Sequence, residues 1–229
     1  MRRTILSKIF SASLVLASLA ANAQAKPDRL KAVLAQMDEG SKSFRSAEAT
    51  IQKQQYERIV RDTTTETGTT YFLRNGSSTQ MGAKFANGQT VECKGGNVRL
   101  YTAGTNHLDQ YSLKGANQAR FETYLTLGFG GSGSDLAKAW AITDLGTEKM
   151  SDGGKAVEVE KLDLVSRDAG VRGNFTHITI WIDAARDVTL KQEFYTPNGD
   201  TQTAIYSNIR LNQKIELNKY AIQCKGKCS

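Results

Sequence analysis

A chain of 229 residues, 39% hydrophobic and 23% charged, has the size and apolar content for one domain with a single core or for one all-β barrel. Its net charge of +7 is spread along the sequence rather than gathered into a patch, which argues against nucleic-acid binding and leaves at most a weak attraction to anionic lipid headgroups.

Met1 to Ala25 reads as a signal peptide: Arg2, Arg3 and Lys8 supply charge, Ile9 to Ala20 an apolar run, and Ala23-Gln24-Ala25 a small-residue exit. Ala21-Asn22-Ala23 offers a second cleavage point. The run is shorter than the roughly 20 residues a membrane-spanning helix needs. No cysteine lies near the cut to carry a lipid anchor. The expectation is an exported, periplasmic chain from Lys26 to Ser229, a single domain with a short basic tail, whose net charge falls to +4 once those three basic residues are gone.

An amphipathic helix opens this chain, with Asp28 as its N-cap and Leu30, Val33, Leu34 and Met37 spaced as one apolar stripe. Gly40 and Ser41 loosen its end near Phe44. The pattern then switches to period two. A long strand is expected from about Ser46 to Arg61, then a threonine-rich turn over Thr63–Gly68. Further strands follow at Thr69–Arg74, Ser77–Phe85, Gln89–Cys93, Asn97–Thr102 and Leu108–Leu113. Asn75-Gly76, Asn87-Gly88 and Gly95-Gly96 between them are hairpin signals.

A helix over Ala116–Leu127 interrupts the meander, Gly128–Gly133 breaks it, and Ser134 caps a second helix, Asp135–Trp140. Strands resume at Ala141–Met150, Lys155–Val165, Phe175–Asp183, Val188–Thr196 and Thr201–Leu211, for eleven in all. Ile178, Ile180 and Ile182 share one face, as do Val188, Leu190 and Phe194, and Ile205, Ile209 and Leu211. In Lys155–Val165 the apolar phase slips between Val159 and Leu162, which a bulge near Lys161 explains. A single sheet with one apolar face must cover it. The expected architecture is mainly β with an α lid: a half-open antiparallel barrel with helices on its concave side.

Other motifs carry little chemistry. Gly128-Phe129-Gly130-Gly131-Ser132-Gly133 matches G-x-G-x-x-G but lacks the preceding strand and βαβ unit of a dinucleotide site. It reads better as a joint between two lid helices, with Gly128, Gly130, Gly131 and Gly133 as the hinge. His107 and His177 stand apart, and neither a G-x-S-x-G elbow nor an H-E-x-x-H helix occurs, so no enzymatic activity, cofactor or metal is expected. The tail, Cys224 to Cys228, is C-x₃-C, with only those two histidines to complete a tetrahedral metal site. Export allows a disulfide; Cys93 to the tail and Cys224 to Cys228 are equally open, with one thiol left over. Arg74, at a strand end, is either an exposed charge or an inward guanidinium holding a lid through backbone carbonyls.

Several segments, in order, resemble the outer-membrane lipoprotein-sorting family, the LolA-like periplasmic carriers. Ser43-Phe44 leading to Ala49–Gln54 is similar to its first helix and strand. Gly68 to Arg74 resembles its G-x-x-W/Y-x-x-R strand, although Asn75 stands where the family usually has proline. Thr126 to Leu136 resembles the LGFG-x-SG-x-DL insert of one branch. Ile180-Trp181-Ile182, Lys191–Tyr195, Gly199-Asp200 and Ala204–Ile209 follow with the family's spacing. The resemblance implies a carrier that shields acyl chains, of lipoproteins or of another lipid, in a hydrophobic cavity, with an inner-membrane release complex and an outer-membrane acceptor as partners. It implies a monomer with Arg74 as the lid latch. On this reading Tyr71, Leu73, Val91, Leu100, Ile178, Ile180, Ile182 and Phe194 line the cavity, and Phe121, Tyr124, Leu125 and Phe129 belong to the lid. A shuttle for a non-protein lipid, an envelope-sensing module on the same fold and a secreted hydrolase are the rival readings.

Overall fold

The computed structural model describes residues 25–76, 78–113 and 127–228. The expected signal segment up to residue 24, and the lid residues Phe121, Tyr124 and Leu125, lie outside them. Eleven strands form one antiparallel sheet in the order β6-β5-β4-β3-β2-β1-β11-β10-β9-β8-β7. The strands are β1 (Ser46–Glu57), β2 (Asp62–Asn75), β3 (Ser78–Phe85), β4 (Gln89–Lys94), β5 (Asn97–Thr102), β6 (His107–Ser112), β7 (Trp140–Asp152), β8 (Lys155–Ser166), β9 (His177–Asp183), β10 (Val188–Tyr195) and β11 (Thr201–Leu211). The edge strands β6 and β7 do not pair, so the barrel is half-open, with helices over its concave face.

The threonine-rich segment is strand, not turn. β1 and β2 pair without interruption from Ser46↔Leu73 to Glu57↔Asp62. The chain reverses at residues 58–61, where Arg61 takes φ 56° and Ile59 and Val60 stand exposed at the tip. β-branched threonines suit an extended, half-exposed ribbon, and that preference outweighs their value in turns.

The phase slip in β8 has a different origin from the one expected. β8 runs unbroken, and the register shift lies in its partner β7, between Asp144 and Gly146. Leu162 and Leu164 face inward, whereas Val157 and Val159 face outward and are covered, Val159 being 1% exposed. In β11 a register shift at Asn208, φ 54°, separates Ile205 from Ile209 and Leu211, so those three do not share one face.

Helix α1 (Ala25–Ser43) begins before Asp28, which sits in its first turn rather than capping it. Val33 and Met37 are buried, with Leu30 and Leu34 packed beside them, against Leu162, Leu164, Ile178 and Ile180. The Arg29 guanidinium fixes the start of the helix, donating to Asp144 (Nε–Oδ2 2.7 Å) and pairing with Glu160 at 2.9 Å. Helix α2 (Gly133–Ala139) is capped by Ser132 rather than Ser134; the Ser132 hydroxyl accepts from the Asp135 amide at 3.1 Å. Ser134 instead donates through its amide and hydroxyl to Asp38 at 2.9 and 3.0 Å, clamping α2 to α1. A short helix α3 (Ala169–Asn174), capped by Asp168, and a 3-10 turn (Leu217–Tyr220) complete the described elements.

Candidate functional site

Alternation along the strands fixes what faces the concave side. Phe72, Met81, Ala83, Phe85, Val91, Cys93, Val98 and Leu100 follow from β2 to β5 by direct cross-strand pairing or by period two. With Ile51, Phe194 and Tyr206 they enclose an apolar cavity of about 420 Å³ between β1–β6 and β10–β11. That volume lies in the range of ligand pockets, about 300–1,000 Å³. Lys53, Gln89 and Gln202 add polar groups to its wall. A second cavity, of about 450 Å³, lies under α1 and α2 against Met37, Leu136, Trp140, Ile180 and Ile182, with Arg74 and Asp187 in its wall.

The glycine-rich segment enters the interior. Phe129, 2% exposed, packs on Phe72 with ring centroids 4.3 Å apart and meets the Tyr206 ring edge-on at 5.2 Å. Its backbone bridges Val188, while the Gly130 amide donates to the Asp187 carbonyl at 3.2 Å and Gly128 accepts from Thr189 at 3.0 Å. The described part of the insert is thus stitched to the β9–β10 turn by backbone bonds and plugged into the barrel by one aromatic ring.

Arg74 points inward. Its guanidinium donates to the Ser41 carbonyl at 2.6 Å and to the Gly130 carbonyl at 2.5 Å, and it stands 5.4 Å from the centre of the Phe44 ring. One side chain therefore joins the last turn of α1 to the Phe129 loop, from a strand of the opposite half of the sheet. Asp187, 1% exposed at φ 54°, lies beside it with Oδ2 unpartnered among the described residues. Burial pushes the Asp187 carboxyl up to about 7, against the pull of Arg74 and with the help of Asp38.

Of the residues expected in the cavity, Val91, Leu100 and Phe194 line the apolar hollow of about 420 Å³, and Ile180 and Ile182 the one under α1. Ile178 shares their face and is wholly buried opposite Leu164 and Phe194. Tyr71 and Leu73 are a correction: the inward set of β2 is Thr70, Phe72 and Arg74, so these two face the convex side. Tyr71 packs there on Tyr220 from the C-terminal segment, ring centroids 4.7 Å apart. Sequence reading shifted this strand by one residue, which inverts a strand's faces.

Two of the glycines expected as a hinge stand at close packing contacts. A Cβ on Gly133 would stand 2.1 Å from the Leu34 carbonyl oxygen, and one on Gly130, at φ +75°, 2.4 Å from the Phe44 ring. They permit close approach of the insert to α1. Cys224 bonds Cys228, and the loop they close docks on Asn106, whose amide nitrogen donates to the Lys225 and Lys227 carbonyls. Cys93 is a free thiol, 4% exposed, in the wall of the apolar cavity, and burial pushes it up to about 11. His177 lies on the convex face, paired with Asp163 at 2.7 Å and stacked on Tyr195.

Sequence reading passed over Gln192, Asp187 and Tyr206. The expected common face of Val188, Leu190 and Phe194 does not form, because a register shift between Thr189 and Lys191 puts Thr189, Gln192 and Phe194 on the side of Ile182, Ile180 and Ile178. Gln192 was legible only as the polar residue two before Phe194.

No protein-family model and no curated protein matches the sequence. Among solved structures the chain is similar to an uncharacterized conserved protein from Thermus thermophilus (14% identity, 86% of this chain and 96% of that one, TM-score 0.51). It is also similar to the Pseudomonas aeruginosa MucA/MucB complex structure (13%, 86% and 62%, TM-score 0.51), spanning about three fifths of the chain matched there. A LolA superfamily protein from Nitrosomonas europaea is a further structural neighbour (13%, 84% and 97%, TM-score 0.38). At these identities the likeness is one of fold.

Proposed function

We propose that this chain is a periplasmic carrier that shields acyl chains, of lipoproteins or of another lipid, inside its half-open barrel on the way to the outer membrane. The observation that carries this reading is the apolar cavity of about 420 Å³ on the concave face, with the Phe129 plug packed against its Phe72 wall. The ordered motifs shared with the lipoprotein-sorting family support it, and so does the N-terminal segment that reads as an export signal cleaved near Ala25.

Transfer by such a carrier is a binding problem. Each methylene taken out of water is worth about 0.8 kcal/mol, so a 16-carbon chain gains on the order of 12 kcal/mol. A cavity that realised all of that gain would not hand its cargo on. The Phe129 loop, with Arg74 as its latch and Gly128, Gly130, Gly131 and Gly133 around it, competes for the same interior and lowers the net affinity. Cargo enters as the loop withdraws and is expelled as it returns, between a release complex at the inner membrane and an acceptor at the outer membrane.

The test is solvent extraction of the protein purified from its native periplasm, followed by mass spectrometry. Acylated peptide or lipoprotein in the extract supports the lipoprotein carrier. A glycerolipid or free fatty acid alone assigns the second reading, a non-protein lipid shuttle. An extract free of acyl groups removes both.

A further inference from the structure

Gln192 lines the apolar cavity yet is only 1% exposed. It sits on the concave face between Ile180 of β9 and Ala204 of β11. Its Oε1 accepts from the Tyr206 hydroxyl at 3.2 Å, and its Nε2 has no partner among the described residues. That nitrogen carries two donors. A buried donor left unpaired is a standing cost that protein interiors avoid, and each exception asks for a reason. Phe72, Met81, Val91 and Phe194 of the same wall carry no side-chain oxygen, and the amide oxygens of Gln89 and Gln202, elsewhere in it, do not pair with this nitrogen. Tyr206 holds the oxygen end of the amide, which leaves the nitrogen end free for whatever enters.

The same cross-strand row continues from Gln192 through Ala204 to Lys53, another residue of the cavity wall. Two strand spacings, about 10 Å, separate the backbones of Gln192 and Lys53. Ala204 is the small residue between them. Lys53 is partly exposed and shares its charge with Glu66 at 3.4 Å.

We propose that the cavity recognises an acyl carbonyl as well as a hydrocarbon tail: the carbonyl oxygen of a fatty ester, amide or acid accepts from Gln192 Nε2 while the tail lies along the apolar wall. This rests on the carrier reading and names the chemistry its cargo must have. A hydrocarbon without oxygen gains the same apolar burial but leaves the amide unpaired, and a site built to hydrogen-bond its ligand rejects the analogue that lacks the group. Lys53 adds attraction for a free carboxylate and none for an ester, so it separates the two sources of the carbonyl.

The experiment measures binding of methyl decanoate, decanoate and decane to the delipidated protein by displacement of a fluorescent dye. Gln192→Leu is expected to lose about tenfold in affinity for methyl decanoate, equivalent to about 1.4 kcal/mol, while decane binds as well or better. Because Gln192→Leu also removes the acceptor of the buried Tyr206 hydroxyl, melting is compared in a Tyr206→Phe background. There the ligand-free Gln192→Leu variant should melt at or above the temperature of its parent, as an unpaired amide gives way to an apolar side chain of similar size; a merely structural role for Gln192 predicts the opposite. Lys53→Gln should weaken decanoate and spare the ester. If Gln192→Leu does not fold, Tyr206→Phe serves, since releasing the amide must shrink the preference for ester over decane. Equal losses for all three ligands, or unchanged ester binding, overturn the role of Gln192 and leave the carrier reading standing. Failure of the parent protein to bind any of the three removes the carrier reading itself, and this inference with it.

Discussion

Arg74 of β2 and Gly130 beside the β9–β10 turn are joined, guanidinium to backbone carbonyl at 2.5 Å, although 56 residues separate them in the chain. The second bond of the same guanidinium, to Ser41, makes the helix and the loop depend on one side chain. Removing it should release both. Arg74→Leu deletes two charge-assisted hydrogen bonds and is expected to cost about 3 kcal/mol in denaturant unfolding. Amide exchange should quicken at residues 127–131 and 40–44 and stay unchanged in β4 and β5. Uniform acceleration over the whole sheet would mean that Arg74 supports the fold at large rather than a latch.

Asp187 sets a pH dependence whose sign is opposite to that of an ordinary paired carboxylate. Burial raises its carboxyl from the usual 3.8 to about 7. The folded protein therefore binds this proton more tightly than the unfolded chain does. The contribution is complete at pH below about 4 and is lost as pH rises through about 7, with a slope approaching about 1.4 kcal/mol per pH unit between them. The charged groups set against it are Arg74 of β2 and Asp38 of α1. Asp187→Asn should flatten melting temperature over that interval and raise it at pH 8. Parallel curves for the two proteins would refute this assignment.

The strand count and much of the sheet were legible because period two and Asn-Gly or Gly-Gly turns are local signals. Gly95-Gly96, for instance, marks the β4–β5 hairpin at φ 60° and 75°. An inward Arg74 was one of two readings that the residue itself left open, and the resemblance favoured it, since nothing near it in sequence reveals Ser41 or Gly130 as its partners. The failures share one physical cause. Tyr71 and Leu73 were placed inward because Tyr71, Phe72 and Leu73 are all apolar enough to face either way, and only the C-terminal Tyr220, packed on the convex side, decides the phase. The β8 slip was misread because its explanation lies in the strand beside it and in cover from outside, neither of which a single segment contains.

The glycines at the insert should differ sharply from one in α3. Gly133→Ala drives a methyl group to 2.1 Å from the Leu34 carbonyl, so α2 must leave α1, at about 2 kcal/mol or more. Gly130→Ala adds backbone strain at φ +75° to a clash with Phe44 and should cost at least as much. Gly173→Ala, with nothing within 4 Å of the new methyl, should be neutral or stabilise by about 0.5–1 kcal/mol. Chemical unfolding of the three variants side by side checks the order. Equal effects at 130, 133 and 173 would show that the insert does not pack against α1 as described.

Cys93 offers a probe of the cavity that needs no mutation. Its thiol is buried in the apolar wall, and burial pushes it up to about 11, so little thiolate is available at neutral pH. The other two cysteines are bonded to each other across a loop too short to constrain much of the unfolded chain, about 2 kcal/mol by the chain-entropy estimate. A disulfide-exchange reagent should therefore find no fast thiol in the native protein and one after denaturation. Mild reduction should expose Cys224 and Cys228 while leaving Cys93 protected and the melting temperature lowered by only a few degrees. Arg74→Leu should speed the Cys93 reaction by loosening the loop whose Phe129 packs on the Phe72 wall of its cavity. An acyl ligand that fills the hollow should slow it again, and a reaction rate indifferent to both would disconnect the latch from the cavity.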